Sequence, residues 1–258
     1  MNQEHNSANI ISPRHDSSPL PRAGRNFLRI ASTVDGEDLT CVICGQQVDP
    51  AGFRCDNYNN VACLHHNITY CRFCHRIIHG AKVLVPHFGF CCYECAKPIN
   101  FDELTKIAVF IIKFFKERGI YIPEFKMNLL PAEHMQQRYQ NDFETVPLGV
   151  ACKGNPHRID LMSQQSKLGI AETLSHELLH LWQYHYNINA PYEYSEGFCN
   201  LGSYEVLLQI DRSEALVRLK TLMENPDPAY GVAFRELKVV HDVYGWDTVV
   251  KSLLKYSC

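Results

Sequence analysis

Ser175–Asn200 reads SHELLHLWQYHYNINAPYEYSEGFCN, and this stretch decides how the second half of the chain is read. His176 and His180 are four residues apart. At about 100° per residue both imidazoles project from one helix face, one turn apart. Glu177 sits beside that face. Two imidazoles next to a carboxylate are the parts of a zinc hydrolase. The histidines hold the ion, and the glutamate takes a proton from bound water whose pKa the ion lowers to about 7. Such a pattern also arises by chance on amphipathic helices. Here the flanks GIAETLS and LW are helix-compatible and half apolar, as a buried site helix requires. The pattern predicts a helix over 168–186.

A zinc site of this kind needs a third protein ligand. His185 lies five residues after His180, about 140° further round the helix, so it points elsewhere and reads as a surface or packing residue. The metzincin spacing needs His at 186 and Gly at 183, where this chain has Tyr186 and Gln183. Asn187, Asn189 and Pro191 signal a turn. A second helix over 193–210 then packs back on the first and carries Glu196 in its opening turns. A glutamate on a second helix completes the gluzincin type of site, and Gly197 beside it permits close helix approach.

Upstream, four pairs share one spacing: Cys41-x2-Cys44, Cys63-x2-His66, Cys71-x2-Cys74 and Cys92-x2-Cys95. Two intervening residues let a tight turn aim both ligands at one tetrahedral ion. Eight ligands make two closed, structural zinc sites, which a unit of this size needs to fold. His65 and Cys91 compete with His66 and Cys92, and the x2 spacing selects the latter. Cys55, Cys152, Cys199 and Cys258 are left over and read as buried free thiols. AKVLVPHFGF (81–90) is strand-like.

NFDELTKIAVFIIKFFKERG is a helix. Asn100 caps it, Glu103 completes a capping box, and Gly119 ends it. Leu104, Ile107, Ala108, Ile111, Phe114 and Phe115 form its apolar face. Strands are expected near 122–130, 144–152 and 158–164, and one or two helices over 230–256. Residues 1–38 are rich in Ser, Pro, Asn and Arg, which predicts disorder.

The net charge of −3 gives no footprint for nucleic acid. Residues 39–100 hold five Lys/Arg against three Asp/Glu. No apolar run reaches the roughly 20 residues that span a bilayer, and the N-terminus lacks an apolar signal core. A cytoplasmic location is expected, with neither membrane nor nucleic-acid partner. Twelve cysteines in a reducing compartment point to metal rather than disulfides.

The cysteine pairs, CLHH, HELLHLW, EGFC and YGVAFR together resemble the LIM-domain zinc peptidases of the DA-one type. Those are ubiquitin-activated growth regulators of plants with shorter bacterial relatives. The similarity covers about 41–245. It implies an α+β chain: a LIM-like double zinc module over 39–99, then a zincin (gluzincin-like) metallopeptidase domain over 100–258. It also implies three Zn2+ ions, one catalytic and two structural. Protein substrates follow, and ubiquitin or ubiquitinated regulators are implied as partners. Plant members carry acidic ubiquitin-interacting helices before the LIM region. Residues 1–38 hold no such runs, so the chain is closer to the compact relatives.

The expected activity is that of a zinc endopeptidase with Glu177 as general base. Tyr204, Tyr230, Arg235 and His241 are the available oxyanion donors, with Tyr204 and Tyr230 preferred as catalytic residues. The RIDLM strand is expected to offer its edge to an extended peptide. Two other readings compete: a partner-binding scaffold with a silent peptidase domain, and a zinc hydrolase acting on a non-peptide bond.

Overall fold

A computed structural model describes residues 39–49, 51–140 and 145–257. The segment 1–38 lies outside them, as do Cys258 and residue 144 of the expected strand. The described chain is α+β, with Cys-rich clusters in its N-terminal part. No helix among the described residues is long and apolar enough to cross a membrane.

The N-terminal part uses one turn twice. Thr40 bridges to Gln47 and Tyr70 to Ile77. Within each turn the first cysteine N–H donates three-quarters of the way round the loop, Cys41 to the Gln46 carbonyl and Cys71 to that of Arg76, both at 2.8 Å. The residue after the second cysteine takes a left-handed backbone, φ 72° at Gly45 and 62° at His75. The sequence hides this repeat, because glycine accepts that conformation freely and histidine only under the constraint of the turn. Hairpins follow each turn: β1 (Phe53–Cys55) with β2 (Val61–Cys63), then β3 (Lys82–Val85) with β4 (Gly89–Cys92). The short helix α1 (Tyr93–Ala96) carries Cys95. Buried Asp56 joins the two halves. It accepts N–H donors from Tyr58, Asn60 and, 21 residues on, Ile77 at 2.8 Å.

Helix α2 (Phe101–Lys116) starts where its cap predicts, with the Glu103 N–H donating to Asn100 Oδ1 at 2.9 Å. It stops at Gly119, φ 79°. A three-stranded sheet follows, ordered β5 (Phe125–Leu130), β7 (His157–Met162), β6 (Gly149–Cys152). β7 runs parallel to β5 and antiparallel to β6. The RIDLM segment is therefore the central strand and not an edge. Its backbone groups are already paired on both sides, so a peptide cannot add to it. Besides the single turn of α1, two helices escaped the sequence reading: α3 (Ala132–Tyr139) and α6 (Ser213–Glu224), both short and mostly polar outside their buried faces.

α4 (Lys167–His185) is buried on every side from Leu168 to Tyr184. A helix without a solvent face must pair every polar side chain inside the protein. α5 (Tyr192–Leu208) lies against it. Gly202 makes this possible, because a Cβ there would stand 2.1 Å from Leu179 Cδ1. Gly197 serves a different seam: its Cβ would meet the backbone of Ala233 and Phe234. Those residues open α7 (Ala233–Tyr244), which leads to α8 (Trp246–Leu254).

The 99/100 boundary expected from sequence does not separate two cores. Cys71, Phe73, Cys91 and Cys95 share one buried cluster with Met135 and Tyr139 of α3 and with Val150 and Met162 of the sheet. Arg218 ties the same parts together. Its guanidinium pairs with Glu172 of α4 at 2.7 Å and Glu214 of α6 at 3.2 Å, and donates to the Phe73 carbonyl at 3.0 Å.

Arg218→Ala leaves two carboxylates in the interior without their cation. Breaking a buried ionic network costs about 3–5 kcal/mol; urea denaturation should show a loss of that order. Asp160 supplies a pH signature. It is buried on β7 and accepts from Tyr139 at 2.7 Å, Asn128 at 2.7 Å and Arg138 at 2.6 Å. Burial favours the neutral acid, but these donors win and hold the carboxyl below its ordinary range. Its contribution is full above the unfolded pKa of about 3.9 and fades as pH falls below it. Asp160→Asn should destabilise the protein at pH 7, with the gap to the wild type closing in melts taken below about pH 4.

Candidate functional site

The two cysteine-rich groups form as their spacing predicts. Cys41, Cys44, Cys63 and His66 bring four donor atoms within 4.8 Å of one another, and so do Cys71, Cys74, Cys92 and Cys95. Sulfurs around a tetrahedral zinc stand about 3.8 Å apart. Cys44 and Cys63 are at 4.0 Å, and Cys74 and Cys92 at 3.9 Å. His66 Nε2 is buried with no hydrogen-bond partner among the described residues, while His65 is exposed. Cys91 packs in the core beside the group instead of joining it. Burial opposes ionisation of the Cys41 thiol, but amide donors of the turn, such as Ile43 N–H at 3.4 Å, bring it down to about 6. The chemistry of both donor sets fits zinc.

The third centre lies between α4 and α5. His176 Nε2 stands 3.0 Å from His180 Nε2 and 3.0 Å from Glu196 Oε2, and His180 Nε2 is 3.5 Å from the same oxygen. Ligands of a tetrahedral zinc at about 2.0–2.1 Å are about 3.3 Å apart. Relative exposure is 0% at His176 and Glu196, 1% at His180 and 2% at Glu177.

Second partners set the imidazoles. Asn200, one turn after Glu196, donates through Nδ2 to the Tyr230 carbonyl at 2.6 Å. Its Oδ1 must then accept, and it faces His176 Nδ1 at 2.9 Å. That places the proton of a neutral His176 on Nδ1 and the lone pair of Nε2 toward Glu196. On the other ring, Cys199 Sγ lies 3.5 Å from His180 Nδ1. Burial would neutralise Glu196, but the His180 and His176 groups hold its carboxyl down to about 2. Burial disfavours charge on His180 too, and Cys199 and Glu196 reverse that. Glu196 Oε1 has no hydrogen-bond partner among the described residues. Lone pairs and a carboxylate this close demand positive charge, so the residues present fit a divalent cation.

Glu177 faces the sheet. Its Oε2 accepts the Ala151 N–H of edge strand β6 at 2.9 Å. A Cβ at Gly149 would stand 3.0 Å from Glu177 Cγ, so glycine lets the strand lie on the helix here. Two tyrosine rings flank the histidines: Tyr230 stacks on His176 at 6.2 Å and Tyr184 on His180 at 6.3 Å. Tyr230 belongs to a π-helical turn, Pro228–Val232, capped by Asp227, whose Oδ1 accepts the Ala229 and Tyr230 N–H groups. π turns recur at functional sites. Arg235 donates to the Asn225 carbonyl at 2.6 Å, which anchors the turn and gives the YGVAFR segment its structural part.

Tyr204 is turned to another seam. It lies eight residues beyond Glu196, about 12 Å along the axis, and packs on Phe234 with the Lys238 ammonium 5.2 Å over its ring. His241 faces Trp246, Asp242 and Glu205. His185 is exposed, as its angle predicts. A cleft of about 1180 Å³ opens between the second cysteine turn, α2 and the start of α4, lined in part by Ile78, Lys97, Phe110 and Lys167, and does not include His176 or His180. Sequence reasoning missed Asn200, Gly149 and Tyr184. Only Asn200 had a signal, its one-turn spacing from Glu196.

No protein-family model matches the chain, and comparisons with curated proteins and with solved structures return no match.

The shared core makes a prediction about metal removal. Cys74→Ser should expose to hydrogen exchange not only the turn around it but also α3 and β6, because both pack on the same buried sulfurs. Exchange confined to 70–95 would mean that the two parts are independent.

Proposed function

We propose that this chain is a zinc-dependent endopeptidase of the gluzincin type, similar to the LIM-domain peptidases of the DA-one type, with the cysteine-rich part as a LIM-like module for substrate or partner binding. One observation carries this reading: His176, His180 and Glu196 converge donor to donor at 3.0–3.5 Å with Glu177 adjacent on the same helix.

In this reading His176, His180 and Glu196 hold one zinc, and the cysteine-rich groups hold two more. A zinc ion held by the histidine pair and Glu196 would supply Lewis-acid polarisation of a substrate carbonyl and would lower the pKa of water. Glu177 takes the proton of the attacking water and hands it to the leaving amine. Of the two tyrosines preferred from sequence as oxyanion donors, Tyr230 is the one whose ring lies against His176, and its hydroxyl shares a hydrogen bond with that of Tyr192 at 2.8 Å. Burial first, then the Glu196 charge, keep it protonated, so it remains a donor through the neutral range. The edge strand that lies on the site is β6, buried from Gly149 to Ala151, and its Ala151 N–H rests on Glu177. A substrate must therefore displace that contact. Protein substrates remain the expected partners, with ubiquitinated regulators among them.

The burial of all four groups favours the second reading, a scaffold with a silent centre, more than anything in the sequence did. Two measurements separate the readings. Elemental analysis should give about three zincs per chain, falling to about two in Glu196→Ala. Profiling against peptide libraries should show cleavage that Glu177→Gln abolishes, a drop of at least 10²-fold for loss of a general base. Two zincs in the unmutated protein with no cleavage would favour the scaffold.

A further inference from the structure

Cys199 is completely buried on α5, one turn after Glu196, and its surroundings determine what its sulfur can do. Ser195 donates its hydroxyl proton to Gln183 Oε1. That fixes the Gln183 amide, so its Nε2 points the other way and donates to Cys199 Sγ at 3.1 Å. The sulfur is therefore held from behind as an acceptor. In front of it, at 3.5 Å, is Nδ1 of His180. The opposite nitrogen of the same ring, Nε2, is the one that meets His176 Nε2 and Glu196 Oε2. The sulfur thus meets the Nδ1 side of the His180 ring at hydrogen-bond range, and it also lies within 4.8 Å of a ring nitrogen of His176.

We propose that Cys199 is a positioning residue for the metal centre: seated by Ser195 and Gln183, its sulfur accepts the Nδ1–H of His180 and so turns the Nε2 lone pair toward Glu196. This inference rests on the metal reading of His176, His180 and Glu196. It gives the two histidines matched supports on consecutive α5 residues, Asn200 for His176 and Cys199 for His180. Both supports descend from the helix that supplies Glu196, so one rigid element sets the ligand carboxylate and both ring tautomers. A thiol is a weak acceptor, which explains why a second donor, Gln183, is needed to fix where it sits.

The test compares Cys199→Ala, Cys199→Ser and Cys199→Val in the full chain. Alanine and serine leave similar space, but only serine keeps a hydrogen-bonding atom. Valine fills the space without one and serves if the alanine protein does not fold. Zinc competition against a chromophoric chelator reads affinity, with His176→Ala identifying the step that belongs to the histidine pair. Loss of such an outer partner weakens metal binding about 10–100-fold. That loss is expected for alanine and valine, with serine recovering most of it and the cysteine-rich sites unmoved. Long-range ¹H–¹⁵N spectra of the ring nitrogens, taken without metal at the histidine pair and at a pH high enough to leave the His180 ring neutral, should show His180 protonated on Nδ1 in the wild type and a mixture of tautomers in Cys199→Ala. Equal affinities and an unchanged His180 tautomer in alanine and valine would overturn the proposal and leave the metal reading intact. A tautomer that shifts in a protein binding no third zinc would keep the positioning role and remove the metal reading instead.

Discussion

Two imidazole nitrogens and a carboxylate oxygen face one another across 3.0–3.5 Å where water has no access. Such a group is unfavourable unless positive charge sits among them, since buried polar atoms need partners and buried charge needs compensation. Much of the C-terminal half follows from holding this arrangement. α4 must be buried all round, so each of its polar side chains has an internal partner. α5 must approach closely enough to deliver Glu196, so Gly202 stands where any side chain would strike Leu179. β6 must lie on Glu177, so Gly149 stands beside it. The π turn then supplies both the ring on His176 and the carbonyl that orients Asn200.

The cysteine-rich part is bound into this arrangement more firmly than two consecutive domains would be. Its second turn contributes sulfurs to the core beneath the sheet, and Arg218 links its backbone to α4 four residues before the first histidine. A disturbance at Cys71–Cys95 therefore has a route through packing and through the Arg218 ion pairs to the helix that carries the centre. The first turn has its own small core around Phe53 and Ile77 and reaches the second half through Asp56.

Where the sequence was legible, a local rule governed the outcome. The helix over 101–116 began and ended at its cap and its glycine, and the pairs with x2 spacing gathered in two groups of four, because turn geometry alone dictates both. The choice of Cys92 over Cys91 has the same origin: one residue of register in a strand sends the side chain to the opposite face. Where legibility failed, distant residues decided. RIDLM alternates no differently as a central strand than as an edge, and only the pairing with both β5 and β6 distinguishes them. Gly197 and Gly202 look alike in sequence, yet one meets α7 and the other α4. Tyr204 shares a helix with Glu196 but not a neighbourhood, because a rise of about 1.5 Å per residue carries it away from the site.

The sequence by itself determined the ligand types, their spacing and the helices that bear them, since those depend on bonds and turns within a few residues. It also placed His176, Glu177 and His180 on one helix and Glu196 on the next. Tertiary structure alone decided that the three donor atoms meet, that Asn200 and Cys199 stand against the rings behind them, and that the centre is closed beneath β6. Those outcomes depend on how two buried helices and an edge strand pack, and packing is a sum over residues far apart in the chain.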